Sequence, residues 1–187
     1  MDISIKEIER LSKNNNLRFY LDIDGVLWNS VEVCTQILDK KFNTTTDPRN
    51  VSSWNFSCCY DGLTDTDIEE LFADESFFDI VKFQDGTRDF MNKHMGNIVL
   101  VTKGTSRNIE LKRKWFDDNG FDNVQLVGLP LFMSKDTVDM SDGIFIDDSV
   151  TNLTEVTTAK HKFLFKEYDN YTEWSANYNG LTLRSWK

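Results

Sequence analysis

The stretch Arg18-Phe19-Tyr20-Leu21-Asp22-Ile23-Asp24-Gly25-Val26-Leu27 constrains this chain more than any other. A short apolar, β-prone run ends in two aspartates one residue apart, followed by glycine. Residues i and i+2 of a strand share a face, and as the chain leaves the strand the second carboxylate can swing round to flank the first. Two carboxylates at a sheet's carboxyl edge repel each other, so a fold keeps them there mainly to do chemistry or to hold a cation. Gly25 permits the tight turn that brings backbone close to whatever is bound. The same residues also describe a plain strand running into an Asp-Gly turn. The other strand ends decide between the two.

Residues 17–23 read as the first strand, apolar on both faces as a central parallel strand is. Residues 97–102, 124–127, 143–148 and 162–165 read as further strands. Residues 2–13 carry Ile3, Ile5, Ile8 and Leu11 among charges, the pattern of a short amphipathic helix. Helical patterns follow near 31–41, from Thr64, from Gly86, over 106–119 and over 150–158. Asn119-Gly120 is a helix exit. Strands alternating with helices imply an α/β fold: a parallel sheet with helices on both faces. Residues 29–81 contain no convincing strand and read as a small helical cap inserted after the first strand. That divides the chain into a core of residues 1–28 and 82–187 and a cap of residues 29–81.

The chain is 187 residues long, with 40% apolar and 28% charged residues, enough for one domain with a modest insertion. Its formal charge of -10 argues against a broad electrostatic grip on nucleic acid. The cysteines, Cys34, Cys58 and Cys59, are odd in number and form no C-x-x-C pair, which suggests neither a disulfide framework nor zinc. Free thiols, no signal peptide and no apolar run of membrane-spanning length lead to the expectation of a cytoplasmic protein.

Three strands end in chemically similar residues: Asp22 and Asp24 after the first, Thr102 after the second, Asp147 and Asp148 after a later one. Ligands of open α/β sheets bind outside the carboxyl ends of strands. Lys135 can reach the same edge. Four carboxylates converging there call for a hard dication, and Mg²⁺ is the natural choice when the partner is a phosphate. Thr102 and Lys135 supply a donor and a positive charge for phosphate oxygens. Lys103 either adds a phosphate contact or points to solvent.

This order of motifs resembles that of the haloacid dehalogenase superfamily of phosphotransferases, whose core is a Rossmann-like parallel sheet, from residue 17 onward. The resemblance implies that Asp22 is a nucleophile forming an aspartyl-phosphate. Asp24 would be the general acid, then the base that activates water. Thr102, Lys103 and Lys135 would hold the phosphoryl group. Asp22, the main-chain carbonyl of Asp24, Asp147 and Asp148 would hold Mg²⁺.

Within the superfamily, Ser53-Trp54-Asn55-Phe56, Glu75-Ser76-Phe77-Phe78, Lys114-Trp115-Phe116 and Leu183-Arg184-Ser185-Trp186 resemble segments of the 5'(3')-deoxyribonucleotidases, cytosolic type C. That implies hydrolysis of pyrimidine deoxynucleoside monophosphates such as dUMP and dTMP. Trp54, Phe56, Phe77 and Phe78 are the candidates for a pocket around the base, against the alternative that they are core. Lys103-Gly104 stands where the family usually carries Ser-Pro, and the segment from Lys135 to Asp147 is longer. Both departures leave open a phosphatase of another small phosphomonoester or of polynucleotide ends. A non-catalytic phosphate-binding protein is the third reading. The expected partner is a small phosphorylated substrate, with no nucleic acid and no membrane; a homodimer is compatible with all three readings.

Overall fold

Phe19, Tyr20 and Leu21 are consecutive and all buried, which only a strand covered on both faces allows. The computed structural model describes residues 1–187. Its elements run β1 (Asp2–Ile3), α1 (Ile5–Asn15), β2 (Arg18–Leu21), α2 (Ser30–Phe42), α3 (Asp65–Phe72), α4 (Glu75–Ile80), α5 (Thr87–His94), β3 (Ile98–Lys103), α6 (Ser106–Asp118), β4 (Gln125–Leu129), β5 (Gly143–Asp147), α7 (Val150–Glu155), β6 (His161–Phe165) and β7 (Leu181–Leu183). One seven-stranded sheet has the order β1-β7-β6-β5-β2-β3-β4, and every neighbouring pair is parallel. No helix is long and apolar enough to cross a membrane.

Side-chain alternation along the strands builds two cores. Phe19 and Leu21, with Ile98, Leu100, Ile144 and Ile146, face the larger one, covered by residues of α1, α2, α5 and α6. Tyr20, Val99, Val101 and Phe145 face the smaller one, closed by Leu153, Val156 and Met140. The chain leaves β2 for β3 and β4 on one side, then crosses to β5 on the other. The carboxyl end of β2 therefore lies where the strand order reverses, the place where open α/β sheets bind ligands.

The edges differ from the sequence reading. Asp2 and Ile3 are not the start of a helix: they pair with Thr182 and Leu183, and α1 starts after Ser4, which forms a capping box with Glu7. Strands as short as β1 and β7 carry too few residues to show a period of two. Between β2 and α5 the chain is helical, with α2, a 3₁₀ turn at Pro48–Asn50, α3 and α4.

Both ends of that excursion are stitched together beside Asp24. The Asn29 N–H donates to Lys82 O at 3.2 Å and the Gln84 N–H to Leu27 O at 2.8 Å. The Gln84 side-chain amide donates to the carbonyls of Gly25 and Trp28, both at 3.2 Å.

The tail reinforces the same turn. Trp186 is buried, its ring stacks on Phe165 and packs against Phe90, and its Nε1 donates to Val26 O at 2.8 Å. Trp186→Ala should destabilise the fold by ~3–5 kcal/mol, the usual cost of truncating a buried aromatic. Urea denaturation should show this as a lower midpoint, and an unchanged midpoint would mean that the tail is not part of the core.

Candidate active site

The ladder between β2 and β5 continues one step beyond the strand, with the Asp22 N–H donating to Ile146 O at 3.0 Å. That bond fixes the backbone of Asp22 next to the end of β5. The chain then turns: the N–H groups of Val26, Leu27 and Trp28 all donate to Ile23 O. Gly25 has φ +70°, and a Cβ there would stand 2.5 Å from Asp148 Oδ2, so no other residue fits without displacing that carboxylate.

Lys135 joins the acids. It sits in a 3₁₀ turn (Lys135–Thr137) whose first N–H groups are capped by Ser134, and it is 1% exposed. Its Nζ lies 2.7 Å from Asp22 Oδ1 and 2.7 Å from Asp147 Oδ2. Burial works against its charge, but Asp147 and Asp22 outweigh that and hold its pKa above the ordinary lysine value.

Asp147 is fully buried and spends its oxygens on the protein. Oδ1 accepts from the Ser149 N–H at 2.8 Å and from Asn152 Nδ2 at 3.0 Å, while Oδ2 takes Lys135. Asp148 is the carboxylate of the pair that lines the cleft. Carboxylate oxygens of Asp22, Asp147 and Asp148 lie within 4.8 Å of one another. Burial pushes Asp147 up to about 6, and burial together with the charges of Asp147 and Asp22 pushes Asp148 well above the usual range. Three hard oxygen donors sharing one ammonium are short of positive charge, which is the donor chemistry that suits a hard divalent cation.

Asp24 is held from two sides. Ser30 Oγ donates to its Oδ1 at 3.0 Å, and Lys112 forms an ion pair with Oδ2. Lys112 is 0% exposed, and its Nζ also donates to Thr102 Oγ1 at 2.7 Å. The sequence reading missed Lys112. Its signal lies in the helix period: Asn108, Lys112 and Phe116 are four apart, on the buried stripe of α6, where an unpaired lysine would be strongly unfavourable.

The acids open into a cleft of about 350 Å³ lined by Asp22, Asp24, Thr102, Lys103, Lys135 and Asp148 among others. Trp54 and Phe56 line it. Phe77 and Phe78 do not, which corrects their place as pocket candidates. Phe77 is 0% exposed, and both rings pack against Trp28, within an aromatic cluster that continues through Trp115 and Phe116. The six residues of α4 must bury an apolar side against that cluster, which leaves no ring for the cleft. Phe72, Asn108 and Trp174 line the cleft instead. Asn108 Nδ2 donates to Phe72 O at 2.6 Å, tying α6 to α3.

Over residues 15–176 the sequence matches the family described as 5' nucleotidase, deoxy (pyrimidine), cytosolic type C protein. The chain belongs to this family. It is a haloacid dehalogenase-like phosphoric monoester hydrolase of the nucleotidase type. No curated protein matches it by sequence. Among solved structures, it is similar in fold to a predicted phosphoglycolate phosphatase from Haemophilus somnus 129PT, with 12% identity, TM-score 0.58 and 90% of this chain and 94% of that one covered. A haloacid dehalogenase-like hydrolase from Streptococcus pneumoniae matches with 11% identity, TM-score 0.54 and 90% and 94% covered. A family hydrolase from Deinococcus radiodurans R1, determined with bound phosphate and sodium, matches with 13% identity, TM-score 0.54 and 90% of each chain covered.

The acid cluster of this nucleotidase sets a pH dependence with a defined sign. Asp147 binds a proton in the folded state between the ordinary value of 3.8 and about 6, so metal-free protein gains stability as pH falls from 7 to 5. A divalent cation requires the ionised carboxylates. Thermal denaturation should therefore show MgCl₂ raising Tm at pH 7 and doing so much less at pH 5. At a concentration about 100-fold above Kd the gain at pH 7 corresponds to ~2.7 kcal/mol. A Tm that ignores the salt at pH 7 would remove the metal site.

Proposed function

We propose that this nucleotidase is Mg²⁺-dependent and removes phosphate from pyrimidine deoxynucleoside monophosphates, dUMP and dTMP, through an aspartyl-phosphate on Asp22. The observation that carries the reading is the meeting of Asp22, Asp24 and Lys135 in one cleft of a chain from this family.

In this reading Asp22 attacks the phosphorus in line with the leaving oxygen. Lys135, bonded to Asp22 Oδ1, fixes the rotation of the attacking carboxylate and offers charge to the phosphoryl oxygens. Asp24 serves as the general acid toward the leaving alkoxide. As a carboxylate it then takes a proton from the water that hydrolyses the phosphoenzyme. Lys112 is a positioning residue: it holds Asp24 and occupies a lone pair of Thr102 Oγ1. The Thr102 hydroxyl hydrogen is left to donate to a phosphoryl oxygen. Lys103 adds positive charge at the rim. Asp22, Asp148 and the main-chain carbonyl of Asp24 would hold Mg²⁺; Asp147, grouped with them from the sequence, already gives its oxygens to Lys135, Ser149 and Asn152 and would anchor Lys135 behind them. When bound, the ion neutralises charge on the phosphoryl oxygens. Trp54 would stack on the base, with Phe72 and Trp174 beside it, while Phe56, 3% exposed and part of the core, would back the wall of the cleft.

Residues 29–81 would act as a cap that selects the substrate, with the core of 1–28 and 82–187 supplying the chemistry. Lys103-Gly104 favours a second reading, a different small phosphomonoester on the same machinery. A panel of nucleoside monophosphates and sugar phosphates assayed for phosphate release with MgCl₂ separates the two. Release from dUMP and dTMP is expected; turnover of sugar phosphates alone would overturn the nucleotide reading.

Asp22→Asn should abolish release altogether, because no nucleophile remains. Asp24→Asn should lower kcat by about 10²–10⁴-fold, the usual worth of a general acid–base. Lys112→Met should lower kcat with little change in KM, since it touches Asp24 and Thr102 and not the base. A Lys112→Met enzyme with undiminished kcat would leave that side chain a merely structural role.

A further inference from the structure

Cys58 and Cys59 lie in the loop that carries Trp54 and Phe56 to the cleft, and nothing in phosphate ester hydrolysis uses them. Cys58 is exposed and Cys59 half-buried. Their Sγ atoms are 3.5 Å apart. The loop aims a donor at one of them: the Ser52 N–H reaches Cys58 Sγ at 3.2 Å. Cys59 Sγ has the Cys58 sulfur and, at 3.6 Å, Asn50 O as acceptors; the same carbonyl stands farther from Cys58 Sγ, at 3.9 Å.

These surroundings favour the charged form at Cys58 and the protonated form at Cys59. Burial works against a charge on Cys58, but hydrogen bonding from Ser53 and Ser52 outweighs it and lowers its pKa to about 6. Burial, and then the neighbouring Cys58, push Cys59 up to about 11. An exposed thiolate beside a protonated thiol is the arrangement in which one sulfur reacts with an oxidant and the other resolves the product.

We propose that Cys58-Cys59 is a modification site for hydrogen peroxide. The Cys58 thiolate attacks a peroxide oxygen; an S–O bond forms, the O–O bond breaks, and the departing hydroxide takes a proton and leaves as water. Cys59 then gives up its proton and attacks the Cys58 sulfur. An S–S bond forms, the S–O bond breaks, and a second water leaves. Two thiols are oxidised by two electrons and one peroxide is reduced to two waters.

The modification reaches the cleft through the loop backbone. A disulfide requires the sulfurs to close from 3.5 Å to about 2.05 Å; because consecutive Cα atoms stand only about 3.8 Å apart, closer than in an ordinary disulfide, it also twists the backbone between the two residues, and it removes the thiolate that the Ser52 N–H holds. Ser52 O accepts from the Glu173 N–H at 2.9 Å, and the Trp54 N–H donates to Glu173 Oε1 at 2.5 Å. Shifting this loop therefore shifts Trp54 and the segment that carries Trp174, both of which line the cleft. Oxidation thus weakens substrate binding and spares the acids on the sheet edge. This second half rests on the cleft being the substrate site; the oxidation chemistry does not.

Hydrogen peroxide applied to the full chain, followed by intact and peptide mass spectrometry, tests the site. The expected product has lost two hydrogens, mapped to Cys58-Cys59, with the buried Cys34 still reduced. Cys59→Ser should stop at a sulfenic acid on Cys58 that dimedone traps, and Cys58→Ser should not react at the same dose. Peroxide that leaves both thiols free, oxidises Cys59 equally well in Cys58→Ser, or joins two chains would overturn the site. Steady-state kinetics before and after treatment tests the coupling. KM is expected to rise several-fold with kcat preserved, to return with dithiothreitol, and to stay constant in Cys58→Ser. Mapped oxidation with an unchanged KM overturns the coupling and leaves the chemistry standing.

Discussion

One buried ammonium holds the acidic edge of the sheet together. Asp22 ends β2 and Asp147 ends β5, and parallel pairing of those strands brings the two carboxylates side by side whatever their charges. Their repulsion would splay the edge if nothing stood between them. Lys135 stands there, 2.7 Å from each. Taking a lysine out of water is costly, and only the two acids make its charge tolerable at that depth. Removing Lys135 would leave both acids without a counter-charge, whereas removing either acid leaves the ammonium with one partner, so the two strand ends and the 3₁₀ turn that delivers Lys135 form a single unit.

A second buried lysine does the corresponding work one step further out. Lys112 reaches from α6 under the rim and bonds to Asp24 and Thr102 together. Side chains from β3, α6 and the turn after β2 thereby share one hydrogen-bonded network. Asn108, one turn earlier on the same helix, bonds to Phe72 O and carries the connection across to α3. The helix after β3 thus aligns two groups on the sheet edge and a wall of the cleft.

Much of this was legible in the sequence, for identifiable reasons. Buried parallel strands write long apolar runs, so β2, β3 and β5 stood out, and acids at the ends of such runs have no bland place in a sheet. That is why Asp22, Asp24, Asp147 and Asp148 could be put at one edge from spacing alone. Lys135 was legible only as a residue in the right interval, because the turn that buries it has no period. Lys112 was obscured by the surrounding charges of α6, which look like a solvated face unless the four-residue stripe is traced. The aromatic residues were the hardest to sort. Trp54, Phe56, Phe77 and Phe78 are alike in type and sit in similar local patterns, and only the tertiary cluster around Trp28 determines that the last two turn inward. β1 and β7 escaped because two- and three-residue edge strands carry no pattern of their own.

The stitch between residues 27–29 and 82–84 has a consequence for how such a molecule can change. A segment whose first and last residues are pinned next to each other is, to the rest of the chain, a hairpin of constant width. Lengthening one of the connections between its helices costs only the slowly growing entropy of a longer closed loop, as long as the side chains of α2 and α4 that pack into the core stay in place. The sheet edge that carries the acids and the helical excursion beside it are therefore joined through one short seam, a few hydrogen bonds around Gln84.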